Sequence, residues 1–478
     1  MFLKKLHEIK FILLLCFVTL VLFPLNIVFG STGESAGRSW FVKRTNPNTN
    51  VYTDSPNTLQ QQWLNNNWDR LMVYAPYFNA RTSWYPKGWL YIDSYAIYNS
   101  SMGSATPNET LYSQYILKDG SSNKLYIPYS CNTTLHQCPQ FAADISNPTY
   151  RVLFINRIRD ALAKGNYKGI WLDDINTKIN SNGFINNISN GDGTPVLPFD
   201  NNTGATMTGA NWIKYFADFT QAIRAAFPNI EILHNAIWYN GPYGLRDASP
   251  DIIRTIQSAD YINIEHGVND NGLTGGMSTS AYSFSYTTLL SYIDHIHSLG
   301  RGVVIDGQPG NDGGALDLTK SEYSLASYYL ISSGSDGIGD GTVNQPSWWV
   351  GYDVDLGAPS GARYVWNNVL RRDYTKGIVL VNLPSASIVT LALPSTYNRI
   401  NGTATNSVTL SAREGAVILT PRAPISIVGD FNHDGLVNSI DLSMMVTTWN
   451  QNNPTYDLNH DGIVNSLDYV IMVQNWSL

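Results

Sequence analysis

The sequence predicts an α/β fold, a (β/α)8 TIM barrel followed by a small antiparallel β-sandwich and a helical tail with paired EF-hand-like calcium loops. Two observations carry this. Eight short apolar runs, most of them separated by helix-like segments, lie between about residues 40 and 340, and several end in a carboxylate. An acid-rich motif near the C-terminus occurs twice, 27 residues apart. A buried parallel strand reads as a continuous apolar run rather than an alternation, and acids at its carboxyl end lie where a barrel opens to solvent. A doubly wound open sheet is the alternative, but no Gly-rich phosphate loop follows the first run.

The N-terminus sets the compartment. Lys4, Lys5 and Lys10 precede an apolar run from Phe11 to Phe29, interrupted at Pro24 and Asn26, with small residues before Ser31. Residues 1–30 therefore read as a secretory signal peptide, and the protein as secreted or cell-surface associated. The run is also long enough for a membrane anchor if it is not cleaved. Cys16 lies in this segment. Export makes a local disulfide the reading for Cys131 and Cys138, with His136 between them as a loop residue. The net charge of −7 comes with no basic block, which excludes nucleic acid as a partner. Charged residues are only 14% and aromatics 12%, a balance that suits aromatic-lined surfaces on which sugar rings stack.

The barrel is expected over residues 39–361. Trp40–Arg44 is a first strand, Leu59–Trp68 a Gln- and Asn-rich helix, Arg70–Tyr74 a second strand and Gly88–Asp93 a third. A long polar excursion from Ser94 to Asn147 follows, of a length that carries function or decorates a rim. Asn147-Pro148 opens a helix with Val152, Ile155, Ile158 and Leu162 at helical spacing, ending at Gly165. Next comes Gly169-Ile170-Trp171-Leu172-Asp173-Asp174, a strand running into two adjacent acids. Trp212–Phe227 is helical, Ile230–Asn235 and Ala259–Glu265 are strands, Thr287–Leu299 is helical, and Gly302–Asp306 is a strand. Glu322–Ser332 and Ser335–Asp340 complete the set. Residues 362–421, with short strands at Gly377–Asn382, Ile388–Leu393, Val408–Leu410 and Ala416–Leu419, form the β-sandwich, and 422–427 the linker.

Residues 428–478 hold the repeat. Asp430, Asn432, Asp434, Asn438 and Asp441 stand at positions 1, 3, 5, 9 and 12 of one loop, with Leu436 offering a carbonyl at position 7. Asp457, Asn459, Asp461, Ile463, Asn465 and Asp468 repeat the set. Oxygen donors at this spacing, with Gly435 or Gly462 at position 6 for the sharp turn, are what Ca²⁺ requires. Each loop is followed by one apolar helix, and position 12 is Asp rather than Glu. The segment from Val428 to Trp476 resembles a type I dockerin, which implies two calcium ions and a cohesin-domain partner. At the partner-choosing positions 10 and 11 the chain has Ser439-Ile440 and Ser466-Leu467, a departure from the Ser-Thr pair common in cellulosomal members.

Such tails ride mostly on polysaccharide-degrading enzymes, and glycoside hydrolysis needs two carboxyl groups flanking the scissile bond. The strand-end acids are Asp93, Asp173, Asp174, Glu265, Asp306 and Asp340. Tyr91-Ile92-Asp93, Asp144–Pro148, Gly169–Asp174, the strand to Glu265 and Arg372–Asn382 together resemble hypothetical glycosyl hydrolase family 15 over Trp40–Pro421. That family is a TIM-barrel group distantly similar to the α-galactosidase superfamily. The resemblance implies a nucleophile at Asp173 (a base if the enzyme inverts) and the acid/base at Glu265, where the superfamily often has Asp. Asp174 would hold a substrate hydroxyl or support its neighbour. Glu265 would be a general acid tuned by aromatic surroundings such as Trp238. Tyr91, Asp93, His234, Asn235, Trp238 and Asp306 are the expected substrate-binding set, and no cofactor is expected for catalysis. His234 reads equally as a hydrogen-bonded barrel residue, and Trp348 and Trp349 as a sugar platform or as packing. A non-catalytic carbohydrate-binding or cell-surface protein on the same barrel is the alternative reading.

Overall fold

The structure is a computed structural model. It describes residues 41–44, 53–102, 107–177, 179, 183–185, 187–236, 249–265, 267–270, 274–278, 283–306, 317–340, 349–421, 428–432 and 436–477. The expected signal peptide, the linker 422–427, Trp238, Trp348 and Asp434 lie outside these residues. Among the described residues no helix is long and apolar enough to cross a membrane.

Eight strands form a closed parallel barrel: β1 (Phe41–Arg44), β2 (Arg70–Val73), β3 (Gly88–Asp93), β4 (Gly169–Asp173), β5 (Glu231–Asn235), β6 (Tyr261–Ile264), β7 (Gly302–Asp306) and β8 (Gly337–Asp340). Each pairs with its neighbours in sequence, and β8 closes on β1. Between strands run α1 (Thr58–Asn67), α2 (Pro148–Leu162), α3 (Gly209–Ala226), α4 (Pro250–Gln257), α5 (Tyr286–Ser298) and α6 (Leu318–Ile331). The sequence reading missed α4, an eight-residue helix capped by Ser249, whose side chain accepts from the Ile252 N–H. Its apolar set is only Ile252, Ile253 and Ile256, too short a run for a helical period to stand out. Asn147 caps α2 by accepting from the N–H groups of Thr149 and Tyr150, with Pro148 at the first helical position, where its missing N–H costs nothing.

Strand parity divides the side chains into two sets. Ile170, Leu172, Ile232, Ile262, Ile264, Val303 and Ile305 face the helices in the main core. Met72, Trp89, Trp171, Leu233, Tyr261 and Val304 form a separate cluster that fills the barrel interior. At the floor, Arg70 makes two hydrogen bonds to Glu231 (2.7 and 2.6 Å), and Trp89 Nε1 donates to the same carboxylate at 2.8 Å. The bidentate, charge-assisted geometry fixes the guanidinium across the floor of the barrel.

Beyond the barrel come β9 (Tyr364–Trp366), β10 (Val369–Tyr374), β11 (Gly377–Val381), β12 (Val389–Arg399), β13 (Ala404–Leu410) and β14 (Gly415–Leu419). They form one six-stranded antiparallel sheet, ordered β9-β10-β11-β14-β12-β13, rather than the two sheets of the expected sandwich. The reason lies in β12, whose register shifts between Ala392 and Tyr397. Its far end pairs with β14, while Leu391 and Leu393 join Ile378, Leu380 and Ile418 in one cluster. On the other face Val379, Val381 and Val417 belong to the main core, and Glu322 of α6 bonds Arg399 and the Val417 N–H. Trp349 is buried beside Tyr352, with ring centroids 5.5 Å apart, so it serves packing rather than a sugar platform.

Candidate functional site at the barrel mouth

The inward parity of the strands continues to their carboxyl ends. Trp171 fills the barrel interior, so Asp173, two residues on, points into the mouth. Asp93 pairs with Asp173 across β3 and β4, and Asn235 with Asn263 across β5 and β6. Glu265 continues the parity just beyond β6. Asp174 leaves the strand at a φ of 56°, in the left-handed region that Asp tolerates better than most residues. Its N–H donates to Asp173 Oδ1 at 2.8 Å, a local bond that holds both acids at the rim.

Asn235 joins the pair. Its Nδ2 donates to Asp173 Oδ1 at 2.7 Å and to Glu265 Oε2 at 3.0 Å. Asn263 Nδ2 donates in turn to Asn235 Oδ1 at 2.8 Å, which sets the amide with its nitrogen toward the carboxylates. On the other side the Tyr91 hydroxyl lies 2.7 Å from Asp93 Oδ1 and 2.5 Å from Asp173 Oδ2. The Tyr98 hydroxyl bonds Asp93 Oδ2, and Gln140 Nε2 reaches the same oxygen at 3.4 Å.

Tyr91, Asp93, Asp173, Asp174, Asn187 and Glu265 line a cleft of about 400 Å³, within the usual range for small-molecule sites. Ile127, Pro128, Tyr129 and Gln140 form its remaining wall. These come from the long excursion after β3, which folds back as a hairpin of Ala96–Tyr98 with Gln140–Ala142 and carries the Cys131–Cys138 disulfide. Burial pushes the Asp173 carboxyl above the ordinary carboxylate value. The charges of Asp93 and Glu265 add to the rise, and the donors Tyr91 and Asn235 oppose it. Burial raises Asp174 well above that value, and the charges of Asp173, Asp93 and Glu265 act in the same direction.

The expected substrate-binding set divides. Tyr91 and Asp93 line the cleft, and Asn235 bridges two of the acids. Asp306 is buried at the end of β7 and is not among the cleft residues, and Trp238 lies outside the described residues. His234 is a correction. It has the opposite parity to Asn235, pairs between Leu172 and Ile262, and is fully buried toward the helices. Both ring nitrogens lack a hydrogen-bond partner among the described residues. Burial, with the nearby Arg224 and Arg301 charges, lowers its pKa to about 3. The unfolded chain therefore binds a proton here that the folded one does not, between about pH 6.5 and pH 3. Stability conferred by the neutral ring is complete above that window and is lost as pH falls through it. Urea unfolding at pH 7 and pH 4 should show a smaller gap in H234L than in the parent, and an equal gap would count against the neutral ring.

Tyr98, Gln140, Asn187 and Asn263 were missed by the sequence reading. Asn263 had a signal, a polar residue at the inward position of an otherwise apolar strand. Tyr98 and Gln140 face each other in the short strand pair of the excursion and Asn187 lies in a loop, and the path of neither segment is revealed by the sequence.

In the tail, α7 (Ser439–Val446) and α8 (Ser466–Val473) each begin with a reciprocal cap. Asn438 and Asn465 accept from the N–H groups of Ile440 and Leu467, and Asp441 and Asp468 accept from the N–H groups of the two capping residues. In the second loop Asp457, Asn459 and Asp461 oxygens accept from N–H groups at positions 5, 6 and 7, which turns the loop around its donors. Gly462 has a φ of 92°, the conformation expected for the sharp turn. Among the described residues no three His, Cys, Asp or Glu groups converge as a metal cluster. The donor set here mixes carboxylates with Asn amides and a backbone carbonyl, which suits a hard cation.

Comparison with known proteins adds the following. No curated protein matches the chain. Among solved structures, an α-amylase from Lactobacillus plantarum is similar at a TM-score of 0.46 and 8% identity, covering 80% of this chain and 99% of the amylase. A noncanonic maltogenic α-amylase from Thermotoga neapolitana gives 0.45 and 8%, covering 79% and 98%. The glycoside hydrolase domain of PelA from Pseudomonas aeruginosa gives 0.34 and 10%, covering 63% and 94%. The tail is matched at the level of sequence family: residues 428–476 fit the model for the dockerin type I domain, and they form such a domain in this chain.

Proposed function

We propose that the chain is a secreted glycoside hydrolase that cleaves a polysaccharide or oligosaccharide with Asp173 and Glu265, and that its dockerin tethers it to a cohesin-bearing scaffold or surface protein. The observation that carries this reading is the Asn235 amide, shared between the two carboxyl groups in the cleft. One nitrogen bonded to both oxygens holds them no more than about 5.7 Å apart, the sum of its two bonds. With the planar N–H pair aimed at both, the separation is about 5 Å, which matches retaining rather than inverting glycosidases.

In this reading Asp173 is the nucleophile. Tyr91 on one oxygen and Asn235 with the Asp174 N–H on the other favour its ionised form. Glu265 gives its proton to the leaving oxygen and then, as a base, takes one from the attacking water. Asp174, held by Asn187 at 3.4 Å, bonds a substrate hydroxyl. The assignment agrees with the resemblance to hypothetical glycosyl hydrolase family 15, whose relatives place these groups at the ends of the fourth and sixth strands. In the tail each loop would hold one calcium ion, two in all. The ions would tie the loops to the buried carboxylates of Asp441 and Asp468.

The test is a screen of the secreted protein against a glycan panel, with the product anomer followed by NMR in the first minutes of reaction. Retention of configuration is expected. Inversion would refute the nucleophile role of Asp173, and glycan binding without cleavage across the panel would favour the non-catalytic alternative.

A further inference from the structure

The Tyr91 hydroxyl lies between two carboxylate oxygens, Asp93 Oδ1 at 2.7 Å and Asp173 Oδ2 at 2.5 Å. Oxygens this close need a proton between them, since without one their lone pairs face each other. A phenol has one proton and can fill only one of the two contacts. The second contact needs another proton, and the groups available to carry it are the two acids. We propose that Asp93 and Asp173 share one proton through the Tyr91 hydroxyl.

The surroundings fit one proton rather than none or two. Each acid keeps other donors: Tyr98 and Gln140 on Asp93, Asn235 and the Asp174 N–H on Asp173. Those donors support one anion across the pair. The charge of Asp93 is close enough to raise Asp173, so a second negative charge on the pair is disfavoured. The Arg157 guanidinium donates to the Asp93 main-chain carbonyl at 3.3 Å and not to the carboxylate. Tyr95, buried behind the strand ends, is neutral. Burial raises Asp173, so it competes for the shared proton. Rotation of the Tyr91 O–H then decides which acid is ionised. With the phenol proton directed to Asp173, the extra proton sits on Asp93 and Asp173 is the free anion. Asp93 and Tyr91 are thus positioning residues that would set the charge of the proposed nucleophile, a role that rests on the glycosidase reading. The proton count does not rest on it.

Infrared difference spectroscopy of the full chain at pH 7 reads the proton directly. D93N and D173N should each lose one protonated-carboxyl band relative to the parent, because removing either acid leaves the other without its like-charged partner. A variant that keeps every protonated-carboxyl band of the parent overturns sharing and assigns the proton to the acid that remains. A second variant, Y91F, keeps both acids and removes the bridge, and the band should move to higher frequency as the acid loses its acceptor. An unmoved band overturns the proposal. None of these readouts depends on glycan cleavage. A protein that passes them yet cleaves nothing keeps the shared proton and loses only the glycosidase reading.

Discussion

D173N should abolish glycan hydrolysis while leaving glycan binding within about threefold. A nucleophile acts only in the transition state, so its loss falls on kcat, by about four orders of magnitude where such groups have been removed elsewhere. The amide keeps the shape of the carboxyl and can still meet Tyr91, so folding should be preserved. E265Q should slow substrates with poor leaving groups by a similar factor and those with good leaving groups far less, because only the former need a proton from the enzyme. Kinetics on an aryl glycoside and on the matching oligosaccharide separate the two roles. If D173N hydrolyses either substrate at the parental rate, Asp173 is not the nucleophile.

Calcium removal should unfold the tail and leave the barrel intact. The tail's buried core is small: Val437, Met445, Val464 and Met472 are the fully buried apolar side chains of its cluster. Domains of this size are marginal without a metal or disulfide, and no cysteine lies in the tail. Its loops gather Asp430, Asp441, Asp457, Asp461 and Asp468, whose mutual repulsion a divalent ion would relieve. Chelation should therefore melt α7 and α8, with loss of far-ultraviolet helical signal from an isolated 428–478 fragment and loss of cohesin capture by the full chain. Where a site forms only on folding, the free energy of metal binding is folding free energy, so the helical signal should follow calcium occupancy. A fragment whose helical signal is the same in chelator and in calcium would rule this out.

Much of the barrel was legible because parallel strands buried on both faces must be apolar along their length, and Gly169–Asp174 or Gly302–Asp306 show that directly. The doubled loop was legible because calcium ligation fixes residue type and spacing within twelve positions. Other features were not. The second β domain is one sheet because of a register shift in β12, and a shift of that kind leaves no mark in composition. His234 stands beside Asn235 in sequence, and only the pleat sends one to the helices and the other to the mouth.

The sequence by itself determined that carboxylates would gather at strand ends and that the tail would be built on two oxygen-rich loops. Both follow from local rules, the burial of strands and the ligand spacing of a cation. The tertiary structure alone decided that Asn235 stands between Asp173 and Glu265, that Tyr91 lies between Asp93 and Asp173, and that the excursion after β3 walls the cleft. Apart from Tyr91 to Asp93, the side-chain contacts join residues 30 to 82 positions apart, and such distances are set by barrel closure and strand parity rather than by local preference.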